Sequence, residues 1–305
     1  MSMRTEQAHA TANGVAKKEQ ANGGPKGHEL SPEESEAMKD SFENHEPVGP
    51  PVYGTKKLDC SDAEWRARVD LAAAYRLCCL EGLNEGIVNH LTASVPGENH
   101  NFLVFRFGRS WEEVTASNLL KMDLEGNVLT GDGKCDSSAF FIHSRIHEYR
   151  PAPTGAVFHT HQTAAAALSA LEIDSLPMLH INNLFFYDNV VIDKEFNGRV
   201  DGDQEGRRLA AKMGTKRVLI QANHGPIVAA EDVPTAWWYL YYLERAAKLT
   251  LAAMSTGRPL RTISDKVGAE GRDNFDKLIP KMFAPMTFEA AKRRLLAGPH
   301  ADFLT

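Results

Sequence analysis

The segment Gly155-Ala-Val-Phe-His159-Thr160-His161 reads as a short buried strand that ends where a polar loop begins. In an extended strand residues two apart project to one face, about 6.5–7 Å apart along the chain, so both imidazoles can converge on one ion. Further on, Gln221-Ala-Asn223-His224-Gly225-Pro226 sets a third histidine in a polar turn between two apolar strands. The glycine behind it lets backbone approach closely and re-aims the chain. A His-x-His pair alone arises often by chance or in a structural role; a third histidine at a strand-end turn supplies the support. Three imidazoles bind Zn²⁺, Fe²⁺, Mn²⁺ or Co²⁺ and leave positions open for substrate, which points to catalysis rather than to a structural site.

The elements around these motifs alternate. Ser61-Asp-Ala-Glu64 has capping-box spacing ahead of Trp65, Val69, Leu71, Ala72, Tyr75, Leu77 and Leu80, which predicts a largely buried helix ending near Gly82. Strand-like runs follow at 87–95 and 102–107, then a Glu125-Gly126-Asn127 turn. Ser137 or Ser138 is placed to cap a helix running to about Tyr149, stopped by Arg150-Pro151. Further helices are expected at 163–171, 203–213 and 233–255, with strands at 190–193, 217–221 and 226–229. This interleaving predicts one α/β domain from Leu58 to Gly257. Residues 258–305 have apolar side chains but no long periodic run, and are expected to pack on the domain or on a neighbouring subunit.

Taken in order, Gly86-Ile-Val-Asn-His-Leu-Thr92, Phe107-Gly108, Val114-Thr-Ala-Ser-Asn-Leu-Leu-Lys-Met-Asp-Leu-Glu-Gly-Asn127, His143, Arg150-Pro151, Ala156-Val-Phe-His-Thr-His161 and Asn223-His-Gly225 resemble the class II aldolase/adducin superfamily over residues 63–257. The resemblance implies a three-layer α/β/α fold with a central, mostly antiparallel sheet. It implies a divalent metal, commonly zinc, on His159, His161 and His224, and active sites at the subunit interfaces of a homotetramer. The implied chemistry is carbon–carbon cleavage, with a Lewis-acid metal polarising a carbonyl and stabilising an enediolate or enolate.

Two departures separate the chain from sugar-phosphate members. Those place a glutamate acid/base where Asp136-Ser137-Ser138-Ala139 has Ala139, and alanine moves no proton. Their phosphate-binding Gly-Asn-x-Ser segment and Thr-Gly turn are here Asn89-His90-Leu91-Thr92 and Phe107-Gly108. An unphosphorylated carbonyl or carboxylate small molecule is therefore the expected substrate. Candidates for the missing proton-transfer group are His90, His143 and Tyr187; candidates for substrate contacts are Asn89, Arg106, Gly108, Ser137 and Ser138. Arg106 flanks the turn, and a guanidinium fork suits a carboxylate. Each has a plainer reading: His143 as a hydrogen-bonded core histidine, Tyr187 as packing, the arginine as solvated surface, the serines as helix caps. Both departures run toward the adducin-like branch, whose adducin heads have lost part of the metal triad, whereas this chain keeps all three histidines. Three functions follow: a metal-dependent retro-aldol or decarboxylating lyase, a non-haem iron oxygenase on the same site, or a non-catalytic adducin-like interaction protein.

Composition bounds these choices. The 305 residues carry 34 Lys and Arg against 40 Asp and Glu, a net charge of −6, which argues against a constitutive nucleic-acid binder. No run approaches the roughly 18 apolar residues of a spanning helix, and the first residues lack a signal peptide's apolar core, so a cytoplasmic protein with no membrane partner is expected. Cys60, Cys78, Cys79 and Cys135 form no CxxC pair, and no disulfide framework is expected. The acidity is uneven: residues 1–55 hold five Lys and Arg against nine Asp and Glu, with one Leu and no Ile or Trp. Ordering a residue costs about 1–2 kcal/mol, more than so little apolar area offsets, which predicts a disordered acidic tail over 1–57. Within it, Ser31-Pro-Glu-Glu-Ser resembles a helix start.

Overall fold

The computed structural model describes residues 31–33, 35–37, 48–98 and 100–305. The tail expected over 1–57 therefore falls largely outside the described residues. Of the first 44 residues, 32–33 and 35–37 are helical, where the helix start was expected. Contacts with the domain begin at Val52, ahead of Leu58: the Val52 amide donates to Glu289, and the Tyr53 carbonyl accepts from the Trp65 indole.

Eight strands form one sheet in the order β4-β3-β2-β1-β5-β8-β7-β6, with every neighbouring pair antiparallel except β6 and β7. They are β1 (His90–Ser94), β2 (Asn101–Val104), β3 (Leu120–Asp123), β4 (Val128–Thr130), β5 (Ala156–His159), β6 (Val190–Asp193), β7 (Val218–Gln221) and β8 (Gly225–Ala230). Central strands alternate between two cores. Ala156, Phe158, Val228 and Ala230 pack toward α1 (Asp62–Leu80), and Val157, Ile227 and Ala229 pack toward α2 (Ser137–Tyr149), with Leu209 and Met213 from beyond β6 completing that second core. The short helices α3 (Thr163–Ser169) and α4 (Ile181–Leu184) precede β6; α5 (Asp203–Met213) lies beside α2, and α6 (Val233–Met254) packs on the α1 side. Two helical layers thus enclose the sheet, the three-layer α/β/α architecture expected, and among the described residues no helix is long and apolar enough to cross a membrane.

Local chemistry explains several boundaries and corrects others. Ser61 caps α1 by accepting from the Glu64 amide, yet Glu64 does not reach back to close a capping box; its carboxylate pairs with Arg68 and Lys121. The cap of α2 is Asp136, accepting from the Ser138 and Ala139 amides, rather than Ser137 or Ser138. The run 87–95 narrows to β1, because Ile87 and Val88 are exposed at its entrance. Residues 258–305, expected to lack a periodic run, form α7 (Asp265–Leu278) and α8 (Ala284–Leu296), joined by a wide turn over Ile279–Phe283 that absorbs Pro280, with Pro285 in the first turn of α8. They pack on the domain itself: Phe288, Leu295 and Phe303 enter the core, and buried Lys292 pairs with Asp70 and Glu289.

The face that carries the site depends on α2 and α5 meeting closely. Gly206 of α5 lies against the Phe141 carbonyl, and a β-carbon there would overlap that backbone oxygen. Alanine gains about 1 kcal/mol of helix propensity over glycine, but forcing backbone apart in a packed interface costs about 1–3 kcal/mol. Gly206→Ala is accordingly expected to destabilise the fold in urea unfolding, and a stabilised variant would show that the helices separate freely.

Candidate metal centre

His159 ends β5, where its register partner is His90 of β1 and its other neighbour is Ile227 of β8. His161 lies two residues on, as the strand period demands. His224 sits in the turn between β7 and β8, where Asn223 takes a left-handed conformation (φ 56°) that asparagine tolerates. Gly225 follows because a β-carbon there would lie 2.6 Å from the Thr160 carbonyl, so the β8 entrance presses directly on the His-x-His strand end. One ring nitrogen from each of His159, His161 and His224 lies within 4.8 Å of the others.

Proton bookkeeping shows what these rings offer. His159 Nδ1 lies 2.9 Å from the Pro226 carbonyl, which only accepts, so Nδ1 carries the proton and Nε2 the lone pair. His161 Nδ1 lies 2.6 Å from the Glu85 carboxylate, which likewise directs the lone pair to Nε2. The two Nε2 atoms then face each other at 3.2 Å with no proton to share. His224 Nδ1 is buried without a hydrogen-bond partner. Facing lone pairs repel unless a cation sits between them, so the donor set fits a divalent metal, with imidazole donors suiting zinc or iron. Burial, with neighbouring histidines adding to it, holds His159 well below its usual value and pushes His224 down to about 4, which keeps both rings in the neutral form a metal needs.

The cavity over this cluster is lined by His90, Val88, Phe107, Ile142, Phe196 and Arg199, among others. Of the expected proton-transfer groups, His90 lines the cavity and His143 stands behind it, with His90 Nδ1 2.7 Å from His143 Nε2. Tyr187 is not among the lining residues; its ring packs against Gly268 of α7. Asn89 is buried and clips the scaffold together, its Oδ1 accepting from the Glu85 amide at 2.6 Å and the His161 amide at 3.2 Å. Arg106 turns away to pair with Asp132 at 2.9 Å, and Gly108 (φ 90°) shapes the turn that presents Phe107. Ser138 lines the cavity and Ser137 adjoins it; both hydroxyls accept from Arg199, whose guanidinium also pairs with Asp136 at 3.0 Å.

Sequence reasoning missed Arg199, Glu85, Thr92 and His147. Arg199 belongs to a polar loop between β6 and α5 with no periodic or motif signal, and only the fold brings that loop to the start of α2. Thr92 and His147 did carry a signal, since His90 and Thr92 share a strand face and His143 and His147 a helix face.

Comparisons with known proteins bear on the family and the fold. The family described as class II aldolase and adducin N-terminal domain matches residues 69–251. A Caulobacter vibrioides protein named "Putative aldolase class 2 protein" is 36% identical over 199 residues, 65% of this chain and 76% of that one. An adducin-related protein of Schizosaccharomyces pombe is 36% identical over 196 residues, covering 62% of this chain and 59% of the relative. An aldolase II superfamily protein from Pseudomonas syringae superposes with a TM-score of 0.75 at 32% identity, over 81% of this chain and 98% of that one.

Proposed function

This chain belongs to the class II aldolase and adducin family, and from that premise we propose that it is a metal-dependent lyase acting on an unphosphorylated carbonyl or carboxylate small molecule. The observation that carries the reading is the pair of ring nitrogens facing each other at 3.2 Å on His159 and His161, with His224 completing the set. A divalent ion held by these three residues, zinc first and iron, manganese or cobalt as alternatives, would polarise a carbonyl and offset the negative charge that builds on its oxygen.

The side chains around it support a specific assignment of tasks. Among the described residues Arg199 is the one arginine or lysine lining the cavity, and Asp136 partly neutralises it, which suits a single carboxylate better than a phosphate dianion. Val88, Phe107, Phe196 and Ile142 give the walls apolar surface. A 4-hydroxy-2-oxo acid meets these demands. In its retro-aldol cleavage the C3–C4 bond breaks, the C4 hydroxyl loses its proton as the aldehyde forms, and the electron pair passes to C3, which is then protonated to leave a 2-oxo acid. His90 is the side chain we assign to the hydroxyl proton, replacing the carboxylate absent at Ala139. A cytoplasmic homotetramer completes the proposal; the exposed Val88, Phe107 and Phe196 lining the cavity favour a subunit contact there.

The test is the metal content of the purified protein, followed by turnover of the zinc-loaded form on 4-hydroxy-2-oxo acids, read as released 2-oxo acid. About one zinc per chain with turnover is expected. Iron with dioxygen-dependent turnover would transfer the site to oxygenase chemistry. Failure to bind any divalent ion would return the chain to a non-catalytic, adducin-like role.

A further inference from the structure

Behind the cavity runs a line of hydrogen bonds that the proposed chemistry leaves unexplained. His90, Thr92 and Ser94 project from one face of β1, and His143 and His147, one turn apart on α2, meet them. His90 Nδ1 lies 2.7 Å from His143 Nε2; His143 Nδ1 lies 2.7 Å from Thr92 Oγ1; Thr92 Oγ1 lies 2.9 Å from His147 Nε2. His147 Nδ1 ends the line, 3.1 Å from Ser94 Oγ and 3.3 Å from the Thr154 carbonyl.

The direction of every proton in this line follows from groups that only accept. The Thr154 carbonyl receives the Ser94 hydroxyl proton at 3.1 Å, so Ser94 Oγ is free to accept, and both atoms demand a proton on His147 Nδ1. A neutral ring protonated at Nδ1 has its lone pair on Nε2, which at 2.9 Å takes the Thr92 hydroxyl proton in preference to the Val157 carbonyl at 3.3 Å. Thr92 Oγ1 then accepts from His143 Nδ1, a placement the nearby Val157 carbonyl reinforces. His143 Nε2 is left as an acceptor, and the proton between the two rings belongs to His90 Nδ1. Burial keeps the two rings behind His90 neutral, holding His143 well below its usual value and pushing His147 down to about 4. The one uncommitted nitrogen of His90 is Nε2, and it carries a lone pair.

We propose that His143, held by Thr92 and His147, is a positioning residue that locks His90 as the Nδ1–H tautomer, so that the cavity meets His90 as a hydrogen-bond acceptor only. The ligand group at that point is then an O–H or N–H donor, and a substrate carbonyl or carboxylate oxygen is turned away from His90. This deepens the lyase reading, because a hydroxyl to be deprotonated is the group such a tautomer selects.

The test reads tautomers directly, by solid-state ¹⁵N spectra of histidine-labelled protein assigned with single substitutions. In the zinc-loaded wild type, His90 is expected to be protonated at Nδ1 and bare at Nε2. His143→Gln, whose amide oxygen replaces the Nε2 acceptor, is expected to keep that form. His143→Leu, which removes the acceptor, is expected to give a mixture of the two tautomers with zinc content unchanged. An Nε2–H His90 in the wild type overturns the proposal, as does an unchanged tautomer in His143→Leu; if the leucine variant fails to fold, the wild-type and glutamine spectra still decide it. The same spectra are taken after chelation, so the tautomer of His90 is read even in a protein that never binds zinc, an outcome that would sink the lyase reading alone.

Discussion

His159→Ala is expected to strip the protein of tightly held metal, with zinc affinity falling by at least about a hundredfold. His159 is the most buried of the three proposed ligands and the most rigidly held: its ring is fixed on a central strand, its Nδ1–H is committed to the Pro226 carbonyl, and its Nε2 points at His161. Alanine removes one donor of three and leaves the His161 and His224 nitrogens without the partner that closes the cluster. Glu85→Gln provides the contrast. Glu85 only orients His161, from a side chain 65% exposed, and water is able to take over part of its role. Its loss is expected near the low end of the ten- to hundredfold range for groups that orient a ligand, about tenfold. Competition against a chromophoric chelator measures both, with circular dichroism to confirm that each variant is folded. Undiminished zinc binding by His159→Ala would place the metal elsewhere, and equal losses for both variants would mean that the cluster is held by the loop at Glu85 rather than by the strand.

The cluster of three histidines was legible in the sequence for the reason that would make them good ligands. A strand of period two, cut short by a polar loop, shows its face in the spacing His159, His161, and an Asn-His-Gly turn announces a backbone that needs left-handed geometry and close approach. The two-layered core was legible in the same way, from alternation and interleaving. What sequence does not encode is which surface one polar loop meets. Arg106 looked like the carboxylate fork because it flanks a turn named by resemblance, but Asp132, just past β4, captures it; the guanidinium at the cavity comes from Arg199, which is drawn there by Asp136 and two serines at the start of α2. The C-terminal helices were missed because Pro280 and Pro285 break the apolar period at the point where a wide turn carries the chain on. Tyr187, a candidate for proton transfer, instead packs its ring against Gly268 of α7, a helix the sequence did not announce.

Stability of the metal-free protein is expected to fall as pH drops from about 6.5 toward 4, with His147 as a principal cause. Burial pushes this ring down to about 4, and the Thr154 carbonyl only partly opposes the shift. The unfolded chain takes up its proton near pH 6.5. Above that value both states hold a neutral ring and the contribution is intact. Below it the unfolded chain binds a proton that the folded protein refuses, so the fold loses about 1 kcal/mol per pH unit, reaching at most about 3 kcal/mol for this ring near pH 4. His143, held still lower by burial and by His90 and His147, adds in the same direction. The ring edge of His147 opens on a cavity shared with Glu98 and His100, so solvent at that edge trims its share. Urea unfolding at pH 8, 6.5, 5.5 and 4.5 in excess chelator measures the effect in the wild type and in His147→Gln, which hydrogen-bonds without titrating. The variant is expected to be less stable at pH 8 and to lose less on acidification, by about 1 kcal/mol per pH unit below 6.5. Parallel curves would mean that His147 takes up its proton inside the fold at little cost. The rings behind His90 would then be free to reverse their protons, and no tautomer would be fixed at the cavity. A difference in slope would instead show that the same burial which costs the protein acid stability is what holds the line of protons in one direction.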